Sequence, residues 1–136
     1  MITHIHHINF IVQDLESAIS QFERLLGMQG FIKDSLEKRA VATARIKLGD
    51  TWLVLVQPVD DESVPAKFLQ ENGEGFFLIS LGTDDLERQL KRMEEQNISP
   101  NSETRRGLEN WLVADLPINQ FFGEQFQLCE EVNKPN

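Results

Sequence analysis

A strand-to-helix pattern occurs twice in this chain of 136 residues, and it limits the possible folds more than any other feature. In the first copy, residues 4–12 carry β-branched and aromatic side chains, which favour a half-buried strand. Asp14 is then placed to cap a helix, because its carboxylate can accept hydrogen bonds from free N–H groups of the first turn. After Asp14, apolar residues at helical spacing up to Leu26 predict one apolar face of this helix, and Gly27 favours its end.

The second copy begins 71 residues after the first, as the distance from Asp14 to Asp85 shows (85 − 14). Residues 76–81 form another apolar run, and Asp85 occupies the same capping position as Asp14. The same offset carries Ile19 onto Leu90 and Phe22 onto Met93, so both helices present an apolar face at matching places.

The segments after each helix also match in order. Residues 41–48 and 51–56 alternate as strands around Gly49-Asp50, which predicts a hairpin, and residues 110–116 and 125–130 predict the corresponding strands of the second copy. Phe31-Ile32 begins a short strand, the polar stretches 33–39 and 101–107 are interpreted as exposed loops, and residues 64–70 as a short helix. Only two long helices are predicted, too few for a doubly wound α/β fold.

We therefore expect an α+β fold with two pseudo-symmetric βαβββ units. They form curved mixed sheets around a central cleft, and the helices cover the outside. Residues 1–136 make one domain, with unit 1 at about 4–58, a linker with a short helix at 59–74, unit 2 at about 75–131 and a short tail at 132–136.

Charge and composition exclude several classes of partner. The net charge of −9 disfavours nucleic acid and anionic membrane surfaces, since both need basic protein surface. No apolar run approaches the roughly 20 residues that a membrane-spanning helix requires. The first seven residues have neither a basic segment nor an apolar run, so we expect no secretion signal, and the single cysteine, Cys129, excludes an intrachain disulfide. A cytoplasmic protein is the expected result.

With the repeat established, the chain resembles the vicinal oxygen chelate superfamily over about residues 4–131. That group includes glyoxalase I, methylmalonyl-CoA epimerase, extradiol dioxygenases and the fosfomycin and bleomycin resistance proteins. Residues 7–16 (HINFIVQDLE) resemble its opening strand and helix start, and residues 48–51 (LGDT) resemble its hairpin. Residues 63–69 with 73–75 resemble the epimerase linker, and residues 123–128 (GEQFQL) resemble the last strand. The epimerase and glyoxalase branches are the most similar.

The resemblance implies a metal site only in part. Metal enzymes of this family hold a divalent ion with four side chains, usually two histidines and two Glu or Gln residues. These positions fall on His7, Val54, Leu78 and Gln127. Valine and leucine have no lone pair to donate, so we expect no metal cofactor, and a divalent metal only under the alternative of an active enzyme.

The same comparison weakens the case for the family's proton transfer, in which a carboxylate removes a proton next to a carbonyl. The terminal carboxylate of that reaction is replaced by Gln127, whose amide cannot accept the proton. Glu37, in the segment before the hairpin, is the remaining weak candidate for a catalytic base. Catalytic residues are otherwise unknown from the sequence.

The residues that replace the metal ligands predict an apolar pocket instead. The candidate ligand-binding residues are His7, Arg45, Lys47, Trp52, Val54, Phe76, Leu78, Trp111 and Gln127. A guanidinium beside such a pocket suits a carboxylate or phosphate. The alternative is that Arg45 and Lys47 lie at an exposed edge or pair with Glu109 or Asp115.

The remaining histidines and the cysteine have simpler interpretations. Because side chains alternate along a strand, His4 and His6 are expected to point away from the face of His7, at an exposed strand start. A surface metal pair formed by these two histidines stays open. Cys129 is expected to be a small buried filler rather than a nucleophile.

Three functions remain open from the sequence. The first is non-enzymatic or metal-independent binding of a small, partly apolar organic ligand. The second is a metal-dependent epimerase or lyase of the methylmalonyl-CoA epimerase or glyoxalase I type. The third is a drug-sequestering resistance protein like the bleomycin binders, which the acidic net charge favours and Arg45 disfavours. By resemblance, a homodimer is the expected assembly.

Overall fold

The computed structural model describes residues 1–101 and 103–132. Ser102 of the predicted loop and residues 133–136 of the predicted tail lie outside the described residues. In chain order the elements are β1 (Ile2–Ile11), α1 (Leu15–Leu26), β2 (Ile32–Leu36), β3 (Val41–Leu48), β4 (Thr51–Pro58), α2 (Val64–Asn72), β5 (Gly75–Thr83), α3 (Leu86–Glu95), β6 (Arg105–Arg106), β7 (Trp111–Asp115) and β8 (Phe126–Glu131). This order contains two βαβββ runs joined by α2, so the predicted α+β class and the repeat are confirmed.

The chain packs as two compact units. Unit I comprises Ile8–Phe77, with strand order β2-β3-β4-β1, and unit II comprises residues 1–7 and 78–132, with strand order β1-β5-β8-β7-β6. The strand β1 therefore contributes its first residues to unit II and its last residues to unit I. The pairing of β5 with β8 is parallel, whereas the β2–β3, β3–β4, β6–β7 and β7–β8 pairs are antiparallel.

The helix α1 of unit I begins and ends as its sequence predicts. The Asp14 carboxylate accepts a hydrogen bond from the Ser17 N–H at 3.1 Å. At the other end Gly27 has φ 67°, a left-handed conformation that costs glycine little, and its N–H donates to the Glu23 carbonyl. The buried face of the helix packs on one side of the sheet, where Ala44 and Leu55 meet it.

The helix α3 repeats this arrangement in unit II. Asp85 accepts a hydrogen bond from the Arg88 N–H at 3.1 Å, and the buried Leu86 packs against Ala114 and Leu128. Full burial of one such leucine contributes about 1.5–3 kcal/mol. The predicted apolar faces are therefore confirmed as core at Leu15, Ile19 and Leu86, whereas the prediction was wrong for Leu25 and Leu26, which are exposed in the last turn of α1.

The repeat extends to a contact that the sequence did not suggest. The first N–H of each long helix has no partner inside the helix. In unit I the Leu15 N–H donates to Oε1 of Gln57 at 2.7 Å, and in unit II the Leu86 N–H donates to Oε1 of Glu130 at 2.7 Å. In both units, then, a side chain near the end of a late strand holds the start of the helix.

Two segments that we interpreted as loops contain strands. Residues 33–36 pair with β3 from Lys33↔Ala44 to Leu36↔Val41. In unit II, Arg105–Arg106 pair with β7. Their polar composition hid this, because an edge strand is held by backbone hydrogen bonds and can keep polar side chains in solvent. The loop predictions were wrong at these positions because tertiary pairing overrode local composition.

The helices α1, α2 and α3 contain 12, 9 and 10 residues. A membrane-spanning helix needs about 20 predominantly apolar residues. Among the described residues, no helix is long and apolar enough to cross a membrane.

Candidate functional site

Polar side chains collect on one face of the unit II sheet. Residues paired across neighbouring strands share a face, and Gln127 is paired with both Ser80 and Asp115. Cys129 follows two positions after Gln127 and shares this face. The opposite face carries Ala114 and Leu128, which pack in the core that includes Leu86 of α3. We call the first of these surfaces the polar face.

A chain of hydrogen bonds crosses the polar face, from the half-buried Arg105 and Asp115 to the buried Gln127. Nη1 of Arg105 donates to Oδ2 of Asp115 at 2.6 Å, and Nε2 of Gln127 donates to Oδ1 of the same carboxylate at 3.0 Å. Gln127 is buried, and its Oε1 is a buried atom without a hydrogen bond within the described residues, as is Oγ of Ser80. The amide at the position of the family's carboxylate therefore acts as a hydrogen-bond donor.

His6 and His7 are both buried, which corrects the prediction for His6. Their exposed fractions are 2% and 3%, and their Nδ1 atoms lie 2.8 Å apart. Nε2 of His6 lies 2.7 Å from Oε1 of Glu131. Alternation along an ideal strand predicted separate faces, but the two rings turn towards each other. Only His4 is exposed as expected.

Trp111 holds both rings in place. Its indole stacks on the His7 ring with centroids 4.7 Å apart and an interplanar angle of 16°, and it meets the His6 ring edge-on at 4.6 Å. Burial, helped by the neighbouring His6, lowers the pKa of His7 to about 3, although the Gln127 side chain opposes the shift. His7 is therefore neutral at physiological pH, and because its pKa is so low it is a weak candidate for a general base.

The positions of the hydrogens follow from these contacts. Nε2 of His6 faces a carboxylate, so it carries a hydrogen. When His6 is neutral, its Nδ1 accepts, and the partner 2.8 Å away, Nδ1 of His7, donates. The network then runs from His7 through His6 to Glu131.

Cys129 lies beside this network. It is fully buried, as predicted, and burial together with Glu131 and Glu130 raises the pKa of its thiol to about 12. One ring nitrogen from each of His6 and His7 and the Cys129 sulfur lie within 4.8 Å of one another. Three metal-ligating groups thus converge in unit II.

The four positions of the family's metal do not fit an ion. Leu78 in unit II and Val54 in unit I are buried hydrocarbon side chains with no donor atom. Only His7 and Gln127 carry donor atoms, and for Gln127 that atom is Oε1, since its amide nitrogen bonds Asp115. Two such groups fall short of the three or four protein ligands that hold a catalytic metal.

In unit I the predicted cationic residues divide into one buried and one exposed group. Nη1 of Arg45 donates to Oδ2 of Asp34 at 2.6 Å, and its guanidinium carbon lies 5.2 Å from the Trp52 ring centroid. Lys47 is exposed, and its Nζ lies 5.8 Å from the same centroid. The exposed-edge alternative is therefore wrong for Arg45 and correct for Lys47.

The other predicted residues occupy separate places. Phe76 is 38% exposed, and its ring contacts that of Phe10 with the centroids 6.1 Å apart. The side chain that we expected to line an apolar pocket is therefore only partly buried. Glu37 is exposed in a short 3-10 turn, Glu37–Arg39. Trp111 is buried and packs on the histidines, as described above. The ligand-binding role of these residues stays a prediction.

Sequence reasoning missed Glu131, Asp115 and Arg105 as members of the polar face. Alternation from Gln127 signals Glu131, four positions further along the same strand. Arg105 gave no signal, because its two-residue strand lies in a segment we interpreted as a loop. Ion pairs in the two units also have opposite polarity: β2 supplies the acid Asp34 in unit I, whereas β6 supplies the base in unit II.

The repeated βαβββ units define a class of two-unit α+β proteins. The chain belongs to the Glyoxalase/Bleomycin resistance protein/Dioxygenase superfamily, whose sequence profile matches residues 6–114.

The most informative relatives are one uncharacterised protein and two epimerases. Protein YqjC of Bacillus subtilis (strain 168) is 26% identical over 125 residues, which cover 91% of this chain and 89% of that protein. Human mitochondrial methylmalonyl-CoA epimerase is 28% identical over 100 residues, 73% of this chain and 57% of the human protein. A variant of Streptomyces coelicolor methylmalonyl-CoA epimerase, solved with 2-nitronate-propionyl-CoA, has a TM-score of 0.91 and 25% identity over 99% of this chain and 100% of that one.

Proposed function

We propose that this protein binds a small, partly apolar organic acid or acyl thioester, and that it does so without the divalent ion of the superfamily's metal enzymes. One observation carries the proposal. At the position of the family's terminal carboxylate, Gln127 donates its amide hydrogen to Asp115, whose carboxylate is also bonded by Arg105. An amide cannot accept a proton from substrate, and beside Val54 and Leu78 it leaves only two donor-bearing residues among the family's four metal positions.

The two apolar replacements support the same conclusion. Val54 and Leu78 are buried, so each fills its position with packed hydrocarbon. Apolar lining with a few oriented polar groups is the usual composition of a small-molecule site. We therefore expect the affinity to come from apolar burial and hydrogen bonds, with no proton transfer through a metal-bound enolate.

Lys47 is the group best suited to an acidic end of the ligand. Arg45 is already bonded to Asp34, whereas the Lys47 side chain is exposed beside the face of Trp52. A lysine ammonium next to an aromatic surface can bind a carboxylate or phosphate while the ring packs on the apolar part. The relative solved with 2-nitronate-propionyl-CoA favours acyl-CoA thioesters as the first ligands to test.

Binding is tested by thermal shift and calorimetry with methylmalonyl-CoA, propionyl-CoA, the free acids and bleomycin. A ligand at 100 times its dissociation constant adds about 2.7 kcal/mol of stability. We expect Lys47→Met to weaken binding of the preferred acid or thioester about tenfold, or about 1.4 kcal/mol, because it removes one charge but keeps the alkyl stem. Lys67→Met, at an exposed position on α2, is the matched control. Equal affinities of the two variants would contradict the role of Lys47.

The mass of the protein in solution tests the expected homodimer.

The alternative is a metal-dependent epimerase, which the similarity to two methylmalonyl-CoA epimerases favours. It is tested by incubating the protein with methylmalonyl-CoA and Co²⁺ in D₂O and following loss of the α-proton by NMR. We expect no exchange above that of the His7→Ala variant. Exchange that depends on added metal and disappears in Gln127→Ala would overturn the proposal and establish the enzyme.

A further inference from the structure

Three side chains of unit II that can ligate a transition metal converge outside the family's set of positions. They are His6, His7 and Cys129, all buried, with one donor atom from each within 4.8 Å of the others. Two neighbouring histidines on one strand normally diverge, but here their Nδ1 atoms are 2.8 Å apart. Of the three, only His7 falls on a family ligand position.

The His6 imidazole has an acceptor on its far side. Nε2 of His6 lies 2.7 Å from the Glu131 carboxylate, so an ion held by His6 would be bound through Nδ1. The Gln127 side chain is a polar neighbour of His7, and its buried Oε1 has no hydrogen bond within the described residues. Metal-bound histidines usually donate their second ring N–H to such a carboxylate or carbonyl group, which fixes the ring and its tautomer.

From this convergence we infer that His6, His7 and Cys129 form a site for a thiophilic divalent ion of the Zn²⁺ class. Two imidazoles and one thiolate are ligands that Zn²⁺ prefers, and three protein ligands leave a fourth position for water or another ligand. In tetrahedral geometry two such nitrogens lie about 3.3 Å apart, and a nitrogen and a sulfur about 3.6 Å. The three donor atoms lie within 4.8 Å of one another, so binding an ion would need an approach of about 1 Å, with Trp111 packed against both rings.

The inference goes beyond the proposed function, because it does not use the two positions that Val54 and Leu78 have made apolar. In the family's set, Gln127 contacts the ion and Cys129 plays no part. In the site inferred here, Cys129 contacts the ion and Gln127 is only a neighbour of His7. The two sets therefore differ in one measurable property, the presence of a sulfur–metal bond.

Cobalt(II) alone is the probe for this bond. The full-length chain is freed of metal with a chelator, dialysed and titrated with Co²⁺, and its visible and near-ultraviolet absorption is recorded. We expect one Co²⁺ per chain, tetrahedral d–d bands, a thiolate-to-cobalt charge-transfer band, and displacement of all these features by Zn²⁺. Cys129→Ser should remove the charge-transfer band, and His6→Gln should weaken binding at least tenfold. His4→Gln, an exposed histidine on the same strand, should bind as the parent does.

Crystals grown with ZnCl₂ give a second measurement that does not depend on whether a variant folds. An anomalous peak between Cys129 and the two histidines is expected. Absence of binding up to about 1 mM metal, which corresponds to about 4.1 kcal/mol, would overturn the inference. A Co²⁺ complex without the charge-transfer band would also overturn it. If binding then persisted in Cys129→Ser but vanished in Gln127→Ala, the family's own site would be occupied, and the proposed function would fall as well.

Discussion

Replacing His7 with glutamine tests whether this imidazole is held neutral inside the fold. Burial, together with His6, lowers the pKa of His7 to about 3 from an unfolded value of 6.5. Glutamine can still donate and accept hydrogen bonds, but it does not titrate. Any difference in pH dependence between the two proteins therefore reports on His7.

The sign and size follow from proton linkage. Above about pH 6.5 His7 is neutral in both the folded and the unfolded states, so it adds no pH dependence. Below that pH His7 is protonated in the unfolded chain but not in the folded protein, so the free energy of unfolding falls by about 1.4 kcal/mol per pH unit. At about pH 4.5 the loss is about 2.7 kcal/mol, and it continues down to about pH 3.

Urea unfolding of the parent and of His7→Gln, followed by circular dichroism with a chelator present, measures this loss. The parent should lose about 2.7 kcal/mol more than the variant between about pH 7.5 and about pH 4.5. His4→Gln, which removes an exposed histidine, should follow the parent curve. A constant difference between the parent and His7→Gln across this range would refute the reasoning, because His7 would then take up its proton normally in the folded state.

Three further predictions concern the same unit. Asp115→Ala should lower the free energy of unfolding by about 2–4 kcal/mol in a urea titration, because Arg105 and Gln127 lose the carboxylate to which they donate. In the same titration Asp61→Ala, at an exposed position, should change it by less than about 0.5 kcal/mol. Glu130→Ala should cost about 1 kcal/mol, since the first N–H of α3 loses its partner; a change within error would contradict that contact. In metal-free folded protein at about pH 8, the thiol of Cys129 should resist a disulfide reagent that labels the urea-unfolded chain completely, and rapid labelling of the folded protein would refute its burial.

Local chemistry accounts for what could be predicted of the fold. Asp14 and Asp85 cap helices because their carboxylates reach N–H groups three residues away, and such contacts depend only on nearby sequence. The spacing of Leu15 and Leu86 with their helical neighbours fixed the buried faces for the same reason. The order of the two βαβββ runs followed from these repeated signals.

Strand pairing at the edges was not predictable in the same way. Residues 33–36 and Arg105–Arg106 are polar, and their own sequence favours a loop. They become strands because the backbones of β3 and β7 offer hydrogen-bonding partners that lie well away in the sequence. A polar edge strand has little apolar pattern for sequence reasoning to detect.

In the candidate site, too, some features follow from the local sequence and others only from the tertiary structure. The sequence by itself determined which donor atoms are available: His7 and Gln127 remain, while Val54 and Leu78 can ligate nothing. Only the tertiary structure decided what surrounds them, by turning His6 towards His7, bringing Cys129 and Glu131 beside the pair, and tying Gln127 to Asp115. The physical reason is that identity fixes the chemistry of a side chain, whereas its partners and its pKa depend on burial and on residues more than a hundred positions away.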